Sequence, residues 1–381
     1  MKPADTDVSQ MRLALRLAPR AYGRTSPNPM VGATLVKDGK IIGQGWHHCA
    51  GKPHAEVEAI RDAQRQGSST KGAALYVTLE PCSTHGRTPP CTDAIKAAGI
   101  RRVVIAATDP NPKHSGRALR ILRRAGIEVV HGVLADEANR LNEAFNHWIV
   151  HRTPFVTVKA AMTLDGKIAT ASGESKWITG DTARAYGMHL RQGADAILVG
   201  INTVLADDPS LSARHAASRI QKTGPRRVIL DTQARTPLNS KVVSDEQAAL
   251  TTIVVSEYAS RNRVAALAKR VNVVIVPSTR SKIENRKSKI DLPWLLKRLG
   301  AENVTSLLVE GGGEVNASFL LGGFAQRVVF FYAPKILGGR DARKAVAGEG
   351  VKRLEEIIQL REVEWRRLGS DLLMTARVDA G

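Results

Sequence analysis

The chain has 381 residues, a formal net charge of +20 and 43% hydrophobic residues. That length exceeds what one hydrophobic core usually serves, so two domains are expected. No apolar run reaches membrane-spanning length, which argues against a transmembrane helix and a membrane partner. Residues 1–150 hold 21 Lys/Arg against 13 Asp/Glu, and the remainder holds 35 against 23. The positive excess is thus spread over both halves, whereas a nucleic-acid binder concentrates it on one face or tail. Its densest run, Arg280, Lys282, Arg286, Lys287 and Lys289, reads as a solvated loop. A dispersed basic surface suits a small phosphorylated substrate by long-range attraction. The opening segment, MKPADTDVSQMRLALRLAPR, lacks a continuous apolar core and a small-residue cleavage site. It does not read as a signal peptide, and a cytoplasmic chain is expected.

In chain order, Val31–Val36 and Lys40–Trp46 are predicted strands, joined through Asp38-Gly39 as a hairpin. His54–Gln66 is a predicted helix, because Ala55, Val57, Ala59, Ile60 and Ala63 form an apolar stripe. Ala73–Leu79 reads as a strand. Thr92–Ala98 reads as a helix, with Thr92 as N-cap and Gly99 as stop. Arg102–Ala107 (strand), Gly116–Arg124 (helix) and Ile127–His131 (strand) follow. This alternation predicts a three-layer α/β domain. Residues 132–152 read as one connecting helix, from the helical spacing of Ala138, Leu141, Ala144, Phe145 and Trp148. A second α/β pattern then begins, with strands expected at Phe155–Ala160, Ala196–Val199, Arg227–Leu230, Thr252–Val255, Val271–Val276, Ser306–Val309 and Arg327–Tyr332.

Three short runs carry chemistry: His54-Ala55-Glu56, Pro81-Cys82 and Pro90-Cys91. A catalytic Zn²⁺ takes three protein ligands and keeps one position open for water. His54, Cys82 and Cys91 supply three ligands. Glu56, two residues after the histidine, is the non-ligand acid–base group of a hydrolytic deaminase, moving a proton from water to the departing amine. The predicted elements bring these groups together, since His54 and Glu56 open one helix and Cys91 precedes another. The eight residues Ser83–Pro90 between the cysteines are expected to arch over the pocket. Cys49 is left over and reads as a partly buried thiol.

The second half has no GxGxxG after its first strand, which disfavours an ordinary dinucleotide-binding sheet. It has Glu310-Gly311-Gly312-Gly313-Glu314 between a predicted strand and a helix over Val315–Leu321. Glycines at such a turn let backbone N–H groups close on a phosphate. Three further segments pack polar groups around small residues as a nucleotide cleft requires: Lys159–Lys167, Gly173–Thr179 and Val199–Pro209.

Together these segments resemble the bifunctional riboflavin-biosynthesis deaminase–reductase family. The matching runs include Ser26-Pro27-Asn28-Pro29-Met30-Val31-Gly32, His54-Ala55-Glu56, Thr78-Leu79-Glu80-Pro81-Cys82 through Pro89-Pro90-Cys91, and Asp109-Pro110-Asn111-Pro112. The likeness covers nearly the whole chain, and the eight-residue cysteine gap is its most specific mark. It implies an α/β chain with a cytidine-deaminase-like α/β/α domain over residues 1–150 and a dihydrofolate-reductase-like α/β domain over 151–381. It implies zinc-dependent hydrolytic deamination of diaminohydroxyphosphoribosylaminopyrimidine, then reduction of the ribosyl chain of the aminouracil product to ribityl with NADPH.

Carried over by residue, the resemblance makes His54, Cys82 and Cys91 the zinc ligands, Glu56 the proton shuttle and Asn28 a pyrimidine contact. Ala161, Trp177, Thr203, Asp207, Gly312, Gly313, Glu314, Val315, Asn316, Ala317 and Ser318 match cofactor-contacting positions. Ser175, Arg191, Leu211, Arg214 and Glu310 match substrate positions, with Arg191 and Arg214 suited to clamp the ribotide phosphate. Lys159 and Asp165 are candidates to assist opening of the sugar ring. The implied partners are a small-molecule substrate and a second copy of the chain through the reductase domain, with no nucleic acid. Thr84 departs from the pattern where a second histidine is expected, as do Ala161-Met162 in place of a small pair. The competing reading is a zinc deaminase acting on RNA bases with a basic nucleic-acid-binding second half. Dispersed Lys/Arg and only 4% aromatic residues speak against it. A reductase domain kept only as a structural relic is the other competitor, and the intact Gly311–Gly313 loop argues against that.

Overall fold

A computed structural model of the chain describes residues 5–85, 89–112, 114–213, 224–277 and 290–379. The chain divides into two compact units between Arg152 and Thr153. The first is built from α1 (Asp5–Leu17), β1 (Gly32–Lys37), β2 (Lys40–Trp46), α2 (Ala55–Arg65), β3 (Ala74–Leu79), α3 (Cys91–Ala97), β4 (Arg102–Ala107), α4 (Arg117–Arg124), β5 (Glu128–His131), α5 (Ala135–Leu141) and α6 (Glu143–His151). Its sheet runs β2-β1-β3-β4-β5, antiparallel through β1 and parallel from β3 to β5. Asp38 and Gly39 both take positive φ, which fits the expected tight hairpin turn.

Helices cover both faces, and the glycines of the hairpin show how. A Cβ on Gly32 would lie 2.0 Å from the Ala14 carbonyl of α1. A Cβ on Gly45 would lie 2.4 Å from the Ala55 carbonyl of α2. Ala33, next to Gly32, pairs with Gly45, so α1 and α2 sit on opposite faces of the pleat. Without side chains at Gly43 and Gly45, α2 lies directly on β2 and its N-terminus is fixed against the sheet. Buried Asp7 pairs with Arg102 and ties α1 to β4.

Two expectations for this unit are corrected. The single helix over residues 132–152 is two helices, α5 and α6, interrupted at Asn142. The buried Asn142 side chain accepts from Met30 N–H at 2.8 Å and donates to Met30 C=O at 2.9 Å, and its backbone leaves helical geometry to do so. The α3 helix starts at Cys91, not Thr92, and its N-cap is Pro90. The Cys91 N–H finds its partner in Cys82 Sγ at 3.2 Å, and Thr92 is buried instead of capping.

The second unit contains β6 (Phe155–Thr163), β7 (Lys167–Ala169), α7 (Asp181–Gly193), β8 (Ala196–Gly200), α8 (Ile201–Asp207), β9 (Arg226–Leu230), α9 (Lys241–Ser244), β10 (Thr251–Ser256), α10 (Arg261–Ala268), β11 (Asn272–Val276), α11 (Leu292–Ala301), β12 (Ser306–Val309), α12 (Gly313–Leu321), β13 (Arg327–Ala333), β14 (Arg343–Lys344), β15 (Leu360–Leu368) and β16 (Asp371–Val378). Nine strands form one sheet, β11-β10-β9-β8-β12-β6-β13-β16-β15, parallel from β11 to β13 and antiparallel across β13-β16-β15. Alternate residues of β8 enter two separate cores, Ala196 and Leu198 on one face and Ile197 and Val199 on the other. Both faces of this part of the sheet are thus buried, which is why its strands are nearly continuous apolar runs. The seven expected strands are all present, and β15 and β16 are added at the C-terminal edge. The α12 helix begins at Gly313, two residues before the expected Val315.

Candidate functional sites

In the first unit, three elements converge. His54 is the N-cap residue of α2, Cys82 follows β3, and Cys91 is the first residue of α3. His54 Nδ1 lies 3.2 Å from Cys91 Sγ and 3.5 Å from Cys82 Sγ. All three ligand atoms lie within 4.8 Å of one another. Such spacings suit the edges of a tetrahedron whose Zn–N and Zn–S bonds are about 2.0–2.3 Å, so the residues fit a Zn²⁺ ion. Hydrogen bonding with the Cys91 thiol, reinforced by His54 and the Cys91 backbone N–H, holds the Cys82 thiol down at about 4 against the opposing effect of burial. The hydrogen bond with Cys82 raises His54. Cys82 is therefore prone to carry thiolate, the form that binds metal, while the hydrogen bond with Cys82 and burial push the Cys91 thiol up.

Glu56 lies in the first turn of α2 and is 3% exposed. Burial pushes its carboxyl up, opposed by His54. It lines a pocket of about 230 Å³ together with Asn28, His47, His54, Cys82 and Asp109. The Asn28 amide nitrogen lies 3.1 Å from His47 Nε2, and His47 Nδ1 lies 3.1 Å from the Pro53 carbonyl. Burial lowers the His47 pKa, so its neutral ring donates through Nδ1 and accepts through Nε2. This chain of bonds sets the orientation of the Asn28 amide. Sequence reasoning placed Asn28 here but missed His47, Asp109, Asn111 and His114, which also line the pocket. The signal for two of them was the run Asp109-Pro110-Asn111-Pro112, matched without a role. Residues 86–88 of the expected arching loop lie outside the described residues.

In the second unit, a pocket of about 590 Å³ opens among β7, α8, α12 and β14. Of the residues expected at the cofactor, Thr203, Asp207, Gly312, Gly313, Glu314 and Val315 line it, and Ser175 joins them. Ser175 Oγ donates to Asp207 Oδ1 at 2.9 Å. Gly312 is the N-cap of α12 without a capping side chain, and a Cβ on Gly313 would lie 2.2 Å from the Lys344 carbonyl. Backbone N–H groups at such a helix start receive phosphate, and the volume suits a cofactor, so the residues fit NADPH.

The other described residues of the expected set do not line this pocket. Asn316 is fully buried and donates to the Ala345 carbonyl, Ala317 is buried, and Ser318 donates to the Glu314 carbonyl within α12. Ala161 is half-buried in β6. Trp177 is 66% exposed, with the Arg184 guanidinium 4.6 Å from its ring. Leu211 is buried with φ +48°. Arg191 holds Glu310 through two bonds, at 2.8 and 2.7 Å, and Lys159 Nζ stands 4.0 Å from the same carboxylate. Burial pushes the Glu310 carboxyl up, but Lys159 and Arg191 override it and hold it at about 2. Arg214 lies outside the described residues, as do Arg280, Lys282, Arg286, Lys287 and Lys289. The Asp165 carboxylate accepts from Thr163 Oγ1, Leu337 N–H and Gly338 N–H, which hold it at about 2 and latch the 337–338 backbone to the turn after β6.

Comparison with known proteins now adds identity. Residues 154–374 match the family model described as the RibD C-terminal domain, and residues 4–107 match the cytidine and deoxycytidylate deaminase zinc-binding region. The riboflavin biosynthesis protein RibD of Aquifex aeolicus is 45% identical, over 97% of this chain and 98% of its own. The Escherichia coli RibD is 39% identical over 97% and 98%. The solved structure of Acinetobacter baumannii RibD superposes with a TM-score of 0.84 at 35% identity, covering 98% of this chain and 99% of that one. A Thermotoga maritima structure described as a diaminohydroxyphosphoribosylaminopyrimidine deaminase/5-amino-6-(5-phosphoribosylamino)uracil reductase gives 0.80 at 37% identity, with coverages of 98% and 99%. Similarity over both units does not favour the RNA-base alternative. It supports the expected pair of α/β folds, with Zn²⁺ and NADPH as cofactors. The chain belongs to the RibD family of bifunctional riboflavin-biosynthesis deaminase–reductases.

Proposed function

We propose that residues 1–150 deaminate diaminohydroxyphosphoribosylaminopyrimidine and residues 151–381 reduce the ribosyl chain of the resulting aminouracil to ribityl. The observation that carries this reading is the meeting of three ligand atoms and a buried carboxylate at one pocket. Zn²⁺, held by His54, Cys82 and Cys91, supplies the Lewis acidity that activates water near neutral pH. Glu56 takes the proton from the attacking water and passes it to the leaving amine. A carboxyl raised by burial is better matched to both tasks than an ordinary one. Asn28, oriented by His47, meets the pyrimidine. The balance is water in, ammonia out, with a carbonyl in place of the amino group.

In the second unit, NADPH supplies the hydride, and the chain's part is to bind and orient. Gly312, Gly313, Glu314 and Val315 receive the phosphates at the start of α12, with Thr203 and Asp207 opposite them. Ala161, Trp177 and the following α12 residues Asn316, Ala317 and Ser318 shape or border the same site. Ser175, Leu211, Arg214 and the Arg191–Glu310 pair serve the ribotide. The basic surface gathers the phosphorylated substrate. The reactions belong in the cytoplasm. Among the described residues no helix is long and apolar enough to cross a membrane. A second copy of the chain docks through the exposed apolar face around Trp365 and Leu372 of the reductase unit.

The test is to incubate zinc-loaded protein with the diaminopyrimidine ribotide, with and without NADPH, and to follow products by mass. Loss of the amino group without NADPH, then a gain of two hydrogens only with it, supports both assignments. Deamination alone reduces the second unit to a relic, and no change with the ribotide overturns the reading.

A further inference from the structure

Glu80 stands between β3 and the metal ligand Cys82, and it is 6% exposed. Among the described residues its carboxylate meets backbone N–H groups and no side-chain cation. Oε2 accepts from Asp109 N–H at 3.1 Å and Gly116 N–H at 2.9 Å, and Oε1 accepts from Ala118 N–H at 2.9 Å. Its own N–H donates to the Ala107 carbonyl at 2.9 Å. Asp109 and Gly116 belong to the connection from β4 to α4, which presents Asp109, Asn111 and His114 to the deaminase pocket, and Ala118 lies in the first turn of α4. Gly116, the N-cap of α4, has no side chain with which to cap the helix. Glu80 fills that role from another part of the chain, where an anion meets the positive end of a helix. One carboxylate therefore fastens the β4–α4 connection at both ends, and it does so two residues from a zinc ligand.

We propose that Glu80 is a positioning residue for deamination: by gripping the amides of Asp109, Gly116 and Ala118, it sets the pocket wall formed by Asp109, Asn111 and His114. This rests on the deaminase reading above. The carboxylate serves three backbone donors, so it is not the group that moves substrate protons. The wall carries neither the metal ligands nor Glu56, so misplacing it weakens the hold on substrate more than the proton transfer itself. Glu80→Gln keeps the shape but turns an amide N–H₂ toward one of the backbone donors. Glu80→Asp keeps the charge but shortens the reach.

Two measurements test this. In Glu80→Gln, KM for the diaminopyrimidine ribotide rises about tenfold while kcat changes by less than about threefold, as expected for lost support of binding groups. Glu80→Asp falls between that variant and the parent chain. Zinc content stays equal to that of the parent. In hydrogen exchange, the amides of Asp109, Gly116 and Ala118 exchange faster in Glu80→Gln, while those of β4 keep their protection. Loss of zinc, a fall in kcat at unchanged KM, or unchanged exchange at all three amides overturns the proposal. If neither variant folds, the parent chain decides it: those three amides are protected like β4, and exchange as fast as free loop amides overturns the assignment. Failure of the parent chain to deaminate the ribotide counts against the deaminase reading, and the exchange result still judges the grip of Glu80.

Discussion

Glu56 has a narrow task, and its substitution separates metal binding from proton transfer. It is buried beside the ligands without being one of them. Glu56→Gln is expected to keep its zinc and lose about 10²–10⁴ in deamination rate, the usual worth of a general acid–base group. Reduction of supplied aminouracil ribotide stays at the parent rate. Metal analysis beside the two rate assays checks this, and loss of zinc in the variant would mean that Glu56 also supports the metal. In the second unit, Glu310 gives a pH prediction whose sign follows from its environment. Its folded value of about 2 lies below its usual 4.5, so it stabilises the fold above pH 4.5 and loses that contribution as pH falls toward 2. The shift corresponds to roughly 3 kcal/mol at most. Glu310→Gln lacks this contribution. The gap in melting temperature between parent and variant should narrow as pH drops from 6 to 3. A constant gap would show that Arg191 and Lys159 do not hold the carboxylate down.

At the scale of elements, the position of α2 decides the metal site, because α2 carries Glu56 and is capped by His54. Glycine at positions 43 and 45 lets that helix touch the sheet. In Gly45→Ala, the new methyl would meet the Ala55 carbonyl and the Ala59 amide, both at 2.4 Å. The start of α2 must lift, and His54 lifts with it. Zinc affinity should fall about 10–100-fold, as it does when the support of a ligand is disturbed. Competition with a chromogenic chelator measures it, and unchanged affinity would show that α2 is not seated by this contact. These elements also show what the sequence made legible. The ligand set was readable because its residue types and spacing are local. The sheet strands were readable because burial on both faces makes them continuous apolar runs. The break at Asn142 was not, since its cause is Met30, far away in sequence. The pairing of Arg191 with Glu310 was hidden for the same reason, and so were His47 and His114 in the pocket wall. The β15 strand escaped notice because its sequence LREVEWRRL carries charges along its length and is exposed almost throughout.

That strand matters at the scale of the whole molecule. The nine-stranded sheet ends in β16 and β15, and α7 covers only one face of this end, packing Ala183 and Tyr186 against Val329, Phe331 and Leu373. Residues of the opposite face include Tyr332, Leu372 and Trp365. Trp365 is 59% exposed and Leu372 is 42% exposed, with the Trp365 ring 5.8 Å from that of Tyr332. Contiguous exposed apolar surface of this kind marks an interface. The outer edge of β15 is a poorer candidate for strand addition, because a bulge falls between Arg361 and Glu364 with Glu362 at φ +49°. The face, not the edge, is therefore where a second copy is expected, and it lies in the reductase unit as the family resemblance implies. Light scattering should report a dimer for the parent chain. Trp365→Glu with Leu372→Glu should give monomers that still deaminate, since neither residue belongs to the first unit. A parent chain that is monomeric at micromolar concentration, or a double variant that remains dimeric, would remove this face from the assembly.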